Sequence, residues 1–266
     1  MTYVVTAKEH DIFELPKLRV SFGFENDPRF LSPDESVAEF FDVKFCPYQP
    51  LDQDAVFAAV SRKHVFVCKL SKHTGDLNPC EIIRVIRDED CLDVNDLTTS
   101  PTDPSVIASA SDDTSVRIWS IDPVHRAQPC LCIFAGEGHS WSLLSVAFHD
   151  NGNYILSSGH DQVINLWTVP DLPSNAITTP YQVHYPHFST SAVHGGIVDC
   201  VAFFGDYILS RACHDNIIVL WRIEGFSSDG PKQPQSTAPT PQHVLSASYE
   251  DPDRLTRDID ILGIQV

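Results

Sequence analysis

Ser140 is the residue whose neighbours come nearest to a nucleophile motif. The segment Gly138-His-Ser140-Trp-Ser142 resembles the Gly-x-Ser-x-Gly turn that exposes a serine between a strand and a helix, and the apolar run Cys130–Phe134 precedes it. The final glycine is replaced by Ser142, however, and the residues that follow have the pattern of a strand. A serine hydrolase that uses Ser140 is therefore a remote alternative.

Histidine and cysteine could supply metal ligands, but their spacing does not favour a metal. The chain contains twelve histidines and eight cysteines, and none of them forms a His-Glu-x-x-His motif or a cysteine and histidine quartet. The one close pair, Cys130 and Cys132, lies in an apolar run. Glycine-rich phosphate loops are absent from the sequence as well. The sequence predicts no catalytic residue, no metal and no cofactor.

A polar pattern of histidine, serine, aspartate and tryptophan recurs along the chain. In residues 138–169 a histidine precedes one apolar run, a serine ends the next, an aspartate follows in a turn, and a tryptophan ends the third. The same order returns in residues 194–223, and residues 94–121 repeat it without the histidine. The three copies comprise His139, Ser157, Asp161 and Trp167; His194, Ser210, Asp215 and Trp221; and Ser109, Asp113 and Trp119. We expect each set to hold the strands of one unit together through hydrogen bonds, as in WD-type repeats.

Short apolar runs predict the strands that position these side chains. In the central copy they are Leu143–Phe148, Tyr154–Ser157 and Val163–Trp167, and turns rich in Asn, Gly and Asp separate them. Repeats of this kind are typical of a WD-repeat β-propeller. A β-sandwich with ordinary buried tryptophans does not explain three copies of one polar order. The predicted fold class is therefore all-β.

The chain is predicted to hold about four to five propeller blades of the roughly seven in a closed ring. Residues 1–35 are predicted to form an N-terminal arm, and residues 36–224 are predicted to form the blades. The first of these blades lacks the polar pattern. Residues 225–266 predict a Pro/Ser/Thr-rich and largely disordered tail. Residues 170–193 predict a long inserted loop, and such loops often bind partners. We therefore expect an incomplete propeller.

The charge of the chain limits its direct partners. Eighteen basic against thirty-six acidic residues give a formal net charge of −18. This charge disfavours DNA or an anionic membrane as a direct partner. It fits a basic partner better, but it is equally explained by solubility alone, and composition does not separate the two. The cysteines are expected to be reduced thiols, as in proteins of the cytosol or nucleus.

The run of residues 183–221 resembles one family more closely than it resembles a generic WD repeat. It reads VHYPHFSTSAVHGGIVDCVAFFGDYILSRACHDNIIVLW and is similar to the extra-sex-combs/EED family, the WD-repeat subunit of the Polycomb repressive complex. The runs Phe40–Phe45, Arg117–Trp119 and Phe134–His139 also resemble this family. The resemblance covers roughly residues 36–225. It implies a noncatalytic scaffold of the nucleus that binds histones and acts in chromatin regulation and transcription repression.

The resemblance also implies two partners, one on each face of the propeller. One face would hold a helix of an enhancer-of-zeste-type methyltransferase. The other would hold trimethyl-lysine of the histone H3 tail in an aromatic cage, where ring faces attract the cation. Only Phe41 matches a cage position, because a blade is missing at about residues 72–90 and Arg257–Ile261 stands where two aromatics belong. We therefore expect weak binding of histone H3.

Two alternatives stay open at this point. Phe41 could be an ordinary core residue of its strand, because apolar strand positions are most often packing positions. The chain could also be a WD-repeat adaptor of another complex, in ubiquitin ligation or trafficking. Such adaptors share the WD-repeat fold and the lack of catalysis with the extra-sex-combs/EED family.

Overall fold

The computed structural model describes residues 40–47, 49, 52–62, 64–71, 80–87, 92–240 and 259–264 of the chain. Within these residues the chain forms seventeen strands in four sheets, which confirms the predicted all-β class. The predicted arm of residues 1–35 lies outside the described residues. In the described part, no helix is long and apolar enough to cross a membrane.

The first sheet forms from the segment predicted to be a blade without the polar pattern. Its strands are antiparallel and follow one another in chain order. They are β1 (Phe40–Phe45), β2 (Ala55–Ser61), β3 (His64–Leu70) and β4 (Cys80–Arg87). Valine, alanine and phenylalanine dominate β2 and β3, and most residues of these two strands are buried. The outer strand β4 lies within the stretch where a family blade is expected to be missing.

The second and third sheets contain the two copies of the repeat before residue 170. The second consists of β5 (Val94–Thr99), β6 (Val106–Ser111), β7 (Val116–Ser120) and β8 (Cys130–Phe134). The third begins with β9 (Leu143–Phe148), β10 (Tyr154–Gly159) and β11 (Ile164–Thr168). These seven strands pair with one another in antiparallel fashion within each sheet. The three runs predicted for the central copy therefore coincide closely with β9, β10 and β11.

The inserted segment of residues 170–193 contributes strands to both of these sheets. The first, β12 (Tyr181–Val183), pairs in parallel with β8, and the second, β13 (Phe188–Thr190), pairs antiparallel with β11. The residues between β11 and β12 form turns and irregular structure. The insertion thus covers the outer edges of two sheets, which would otherwise offer unpaired backbone groups.

The fourth sheet includes one strand from the C-terminal segment. Its strands are β14 (Val198–Phe204), β15 (Tyr207–Ala212), β16 (Ile218–Ile223) and β17 (Ile259–Ile264). Strand β17 comes from the segment of residues 225–266, which the sequence predicts to be largely disordered, and it pairs with β16 along its whole length. Residues 225–240 also lie against the sheets, where Gln235 donates to the carbonyl of Tyr185 (2.7 Å). Unpaired backbone groups at the edge of β16 favour such a strand, whatever the composition of the linker before it.

Each pair of adjacent sheets packs face to face around one of the repeated tryptophans. Trp119 lies in the apolar cluster between the first and second sheets. Trp167 lies in the cluster between the second and third sheets, and Trp221 in the cluster between the third and fourth. The three tryptophans therefore occupy equivalent places in a series of stacked sheets, as in the blades of a propeller.

The first strands of the four sheets, β1, β5, β9 and β14, lie side by side in that order. Lys44 Nζ lies 3.7 Å from Asp96 Oδ1, and one residue further along β1 the carbonyl of Phe45 accepts from Thr99 (3.4 Å). Contacts from β5 to β9 (residues 95 and 96 to 143 and 146) run in the same direction along both strands. Contacts from β9 to β14 (residues 145 and 149 to 201 and 206) do so as well. These strands are therefore parallel, and the residues at their starts share one end of the molecule.

We call this end the upper rim and define it as Phe41, residues 92–93 and 137–142, and the turns of residues 112–115 and 160–163. The backbone joins these parts, because the N–H of Asp112 donates to Asp93 O and that of His160 to Ser142 O (both 2.9 Å). The opposite end, the lower rim, contains the loops of residues 100–105, 149–153 and 205–206, which follow the first strands.

Candidate functional site

His139, Ser157, Asp161 and Trp167 form one continuous chain of hydrogen bonds in the third sheet. The Trp167 Nε1–H donates to Ser157 Oγ (2.8 Å), and the His139 ring lies 2.7 Å from Ser157 Oγ and 2.9 Å from Asp161 Oδ2. Asp161 also accepts two backbone N–H groups, one from the preceding loop and one from its own turn. This series of hydrogen bonds thus joins the loop before β9 to β10, to the turn after β10 and to β11.

One assignment of protons satisfies every polar atom in this series of hydrogen bonds. The Ser157 hydroxyl accepts from the indole and donates to His139 Nε2, while His139 Nδ1–H donates to Asp161. Burial by itself would raise the pKa of Asp161, but the hydrogen bonds from His139 and from the backbone N–H groups outweigh it and hold this pKa below its usual value. The ionised carboxylate of Asp161 therefore fixes the orientation of the imidazole ring.

The fourth sheet repeats this arrangement. Trp221 donates to Ser210 Oγ (3.0 Å), and the His194 ring lies 2.8 Å from Ser210 Oγ and 3.0 Å from Asp215 Oδ2. The structure thus brings together the four residues of this copy, although one extra residue separates its serine from its tryptophan. The longer turn absorbs that residue, with His214 and Asn216 in the left-handed region (φ 73° and 53°).

The second sheet keeps the tryptophan and serine and replaces the histidine. Trp119 donates to Ser109 Oγ (2.8 Å), as in the other two sheets. Asp113 instead forms an ion pair with the buried Arg117 (2.9 Å) and accepts from Ser115 in the same turn (2.6 Å). Sequence reasoning missed Arg117 as part of this group. Its one signal is a charged residue inside the otherwise apolar run of β7.

The group of Asp161, His139 and Ser157 has the connectivity of a Ser-His-Asp catalytic triad but not its accessibility. Ser157 is 0% exposed, and its oxygen already accepts from the Trp167 indole. A substrate carbonyl therefore cannot reach this hydroxyl. The same group recurs in the fourth sheet, where Ser210 is also buried. A buried serine that occurs twice at equivalent places fits a structural role, in which each group of histidine, serine, aspartate and tryptophan holds neighbouring strands together. We call each such group a clamp.

The exposed Ser140 lacks the surroundings of a nucleophile. The residues after it lead into the strand β9, whereas a nucleophile turn leads into a helix. Its backbone N–H donates to Asp161 (3.0 Å), and the neighbouring His139 uses both ring nitrogens elsewhere. Among the residues that the structure describes, Ser140 therefore has no adjacent base, which removes the argument for a hydrolase.

Phe41 lies at the upper rim and points away from the core. It is the extra residue of a β-bulge in β1 and is 45% exposed. Its neighbours Phe40 and Phe45 pack against the rings of Phe66 and Phe57 (centroids 5.8 and 5.4 Å apart). Phe41 makes no such ring contact within the described residues. The interpretation of Phe41 as a core residue therefore does not fit its exposure, and its role as a cage residue stays a prediction.

The comparisons with known proteins agree with this geometry. A family model for "WD domain, G-beta repeat" matches residues 81–120 and 129–168. The Polycomb protein EED of Chaetomium thermophilum is 50% identical over an alignment of 293 positions, gaps included, which spans 90% of this chain and 52% of that protein. This chain is a homologue of Polycomb EED. The Polycomb protein esc of Drosophila melanogaster is 34% identical over 145 residues, covering 48% of this chain and 33% of esc. The family predicted from the run of residues 183–221 is therefore confirmed.

Solved structures of Polycomb complexes contain chains with the same fold as this EED homologue. A chain of the Chaetomium thermophilum polycomb repressive complex 2 is 47% identical at a TM-score of 0.62, over 93% of this chain and 58% of that one. A chain of ctPRC2 in complex with H3K27me3 and H3K27M is 50% identical at a TM-score of 0.61, and the match covers 86% of this chain and 56% of that one. The chain spans about half the length of the EED relative that it matches. The predicted all-β WD-repeat propeller fold is thus confirmed.

Proposed function

We propose that the chain is a noncatalytic WD-repeat scaffold of a Polycomb repressive complex, which acts with a histone methyltransferase on chromatin in the nucleus. The observation that carries this proposal is the 50% identity to EED over 90% of the chain. The buried clamps support it, because the side chains that could react, Ser157 and Ser210 with their histidines, are used to hold strands together. The two rims are the surfaces that we propose for partners.

The lower rim is the proposed docking surface for a helix of the methyltransferase. The aromatic cage position Phe41 lies at the upper rim, and the resemblance implies that the helix binds the opposite face. The lower rim exposes acidic side chains in several of its loops, among them Asp103 and Asp150. A helix with basic side chains would therefore be attracted to this rim.

Co-purification with the methyltransferase tests the scaffold proposal. The full chain is co-expressed with an enhancer-of-zeste-type methyltransferase, and a stable complex is expected in size-exclusion chromatography. Asp150→Lys is expected to weaken the complex severalfold, because it reverses a charge on the proposed surface. The control, Leu92→Lys, introduces a positive charge at an exposed position of the upper rim and is expected to change nothing. Recovery of a cullin or coat complex from nuclear extract, without the methyltransferase, would contradict the proposal.

Weak recognition of trimethyl-lysine is the expected behaviour of the upper rim. A single exposed ring contributes about 0.5–1 kcal/mol to binding of a cation. A histone H3 tail peptide that carries trimethyl-lysine is therefore expected to bind only about two- to fivefold more tightly than the unmodified peptide. Isothermal titration calorimetry measures this ratio.

Phe41→Ala should abolish the difference between the two peptides. Phe45→Ala is the matched control, because Phe45 is equally exposed but lies further along β1 and packs on Phe57. Micromolar binding of the trimethylated peptide that disappears with Phe41→Ala would show that the cage is complete, against this expectation.

A further inference from the structure

The upper rim carries an aromatic side chain that takes no part in the hydrogen-bonded groups of the repeated tryptophans. Trp141 is 62% exposed, whereas Trp119, Trp167 and Trp221 are at most 3% exposed. It follows Ser140 in the loop before β9 and therefore lies at the same end of the molecule as Phe41. Exposed tryptophans with a fixed position are frequent anchors of protein interfaces.

The backbone on both sides of Trp141 is fixed by the clamp of the third sheet. The N–H of Ser140 donates to the carboxylate of Asp161 (3.0 Å), and the carbonyl of Ser142 accepts from the N–H of His160 (2.9 Å). The indole also lies against the His160 ring, with centroids 5.6 Å apart and planes inclined by 33°. One side of the indole therefore has a partner, and the residue loses little freedom when a ligand binds.

The charges near Trp141 favour a cationic ligand. Glu137 is exposed in the same loop, and Asp161 lies in the adjoining turn. Residues 137–142 and 160–163 contain no lysine or arginine. A cation above an indole face is attracted by the ring quadrupole, and neighbouring carboxylates add to that attraction.

We propose that Trp141 and His160 form a docking site for a basic side chain, an arginine or lysine, of a partner peptide. The cation lies over the exposed indole face, with Glu137 as its counter-ion. This site is separate from the trimethyl-lysine position at Phe41, which belongs to the first sheet. It does not depend on the proposed scaffold function, because its chemistry concerns any basic segment that crosses the upper rim.

A labelled hexa-arginine peptide tests this site without a methyltransferase or a histone. Fluorescence anisotropy of the labelled peptide gives the affinity for the full chain, and a hexa-glutamate peptide is expected not to bind. Trp141→Ala should weaken the affinity for hexa-arginine about two- to fivefold, and Trp141→Phe should retain most of it because a ring remains. Acrylamide quenching of tryptophan fluorescence should fall when hexa-arginine binds, because Trp141 is the one strongly exposed tryptophan of the four.

The matched control is Phe204→Ala. Phe204 is 68% exposed, and its hairpin lies at the lower rim, where Asp206 contacts His149 at the end of β9 (3.3 Å). This variant should bind hexa-arginine as the unchanged chain does. Equal affinities of the unchanged chain and Trp141→Ala would overturn the proposal, because binding would then come from the general negative charge. The absence of saturable binding, or an equal loss in Phe204→Ala, would overturn it as well.

Discussion

Replacing Trp167 with alanine is expected to lower the free energy of unfolding by about 3–5 kcal/mol. Trp167 is 1% exposed and packs between the second and third sheets, with its ring 5.5 Å from that of Phe134. The substitution opens a cavity where the two sheets meet. It also removes the donor of the hydrogen bond to Ser157. The loss of packing and the loss of the clamp therefore act in the same direction.

Trp167→Phe separates these two contributions. The phenyl ring keeps much of the apolar contact but has no N–H, while Ser157 Oγ still bonds to His139. The missing hydrogen bond accounts for about 0.5–1.5 kcal/mol of the expected loss, and the smaller ring adds a packing term. Trp167→Phe should thus be clearly more stable than Trp167→Ala.

Urea unfolding followed by far-UV circular dichroism measures these differences. Trp141→Ala is the matched control, because it removes an equally large side chain from the surface and is expected to change stability by less than about 0.5 kcal/mol. Similar losses for Trp141→Ala and Trp167→Ala would show that the repeated tryptophans do not hold the sheets together. Such a result would contradict the clamp interpretation.

The clamps could be predicted from the sequence because they depend on spacing. The hairpin between the second and third strands fixes how far a serine in one lies from a tryptophan in the other. Ser157 pairs with Asn165 and Trp167 with Ile155, so the serine and the tryptophan are diagonal neighbours on one face of the sheet, close enough to form a hydrogen bond. The position of His139 follows in the same way, since its loop precedes the first strand. Periodicity and turn residues carry this information in a single sequence.

Features that depend on tertiary contacts were not predictable in this way. The strand β17 pairs with β16 across more than thirty residues of linker, and nothing local to Ile259–Ile264 indicates that partner. Arg117 replaces the histidine of the second sheet through an ion pair that is visible only when Asp113 and Arg117 are placed in space. The exposure of Trp141 is likewise a property of the folded rim, because a tryptophan is buried more often than not.

Gly159→Ala is expected to destabilise the fold clearly, although less than Trp167→Ala does. Gly159 ends β10 at a bulge opposite Leu143. A Cβ atom there would overlap the carbonyl oxygen of Ser142 and lie 2.8 Å from Leu143 Cα. Both neighbours are backbone atoms, so no side chain can move aside to relieve the contact. The Ser142 carbonyl also accepts the N–H of His160, which means that a shift would break this bond.

The expected cost of Gly159→Ala is about 1–3 kcal/mol, because overpacking against fixed atoms forces the two strands apart. Gly195→Ala is the matched control, since nothing lies within 4 Å of a Cβ at that position. There the loss of chain freedom in the unfolded state should leave stability unchanged or raise it by up to about 1 kcal/mol. Because residues 140–142 are held by the same contacts, Gly159→Ala should also weaken binding of hexa-arginine. Retained stability in Gly159→Ala would mean that the loop before β9 can move freely, and the fixed geometry assigned to Trp141 would then be wrong.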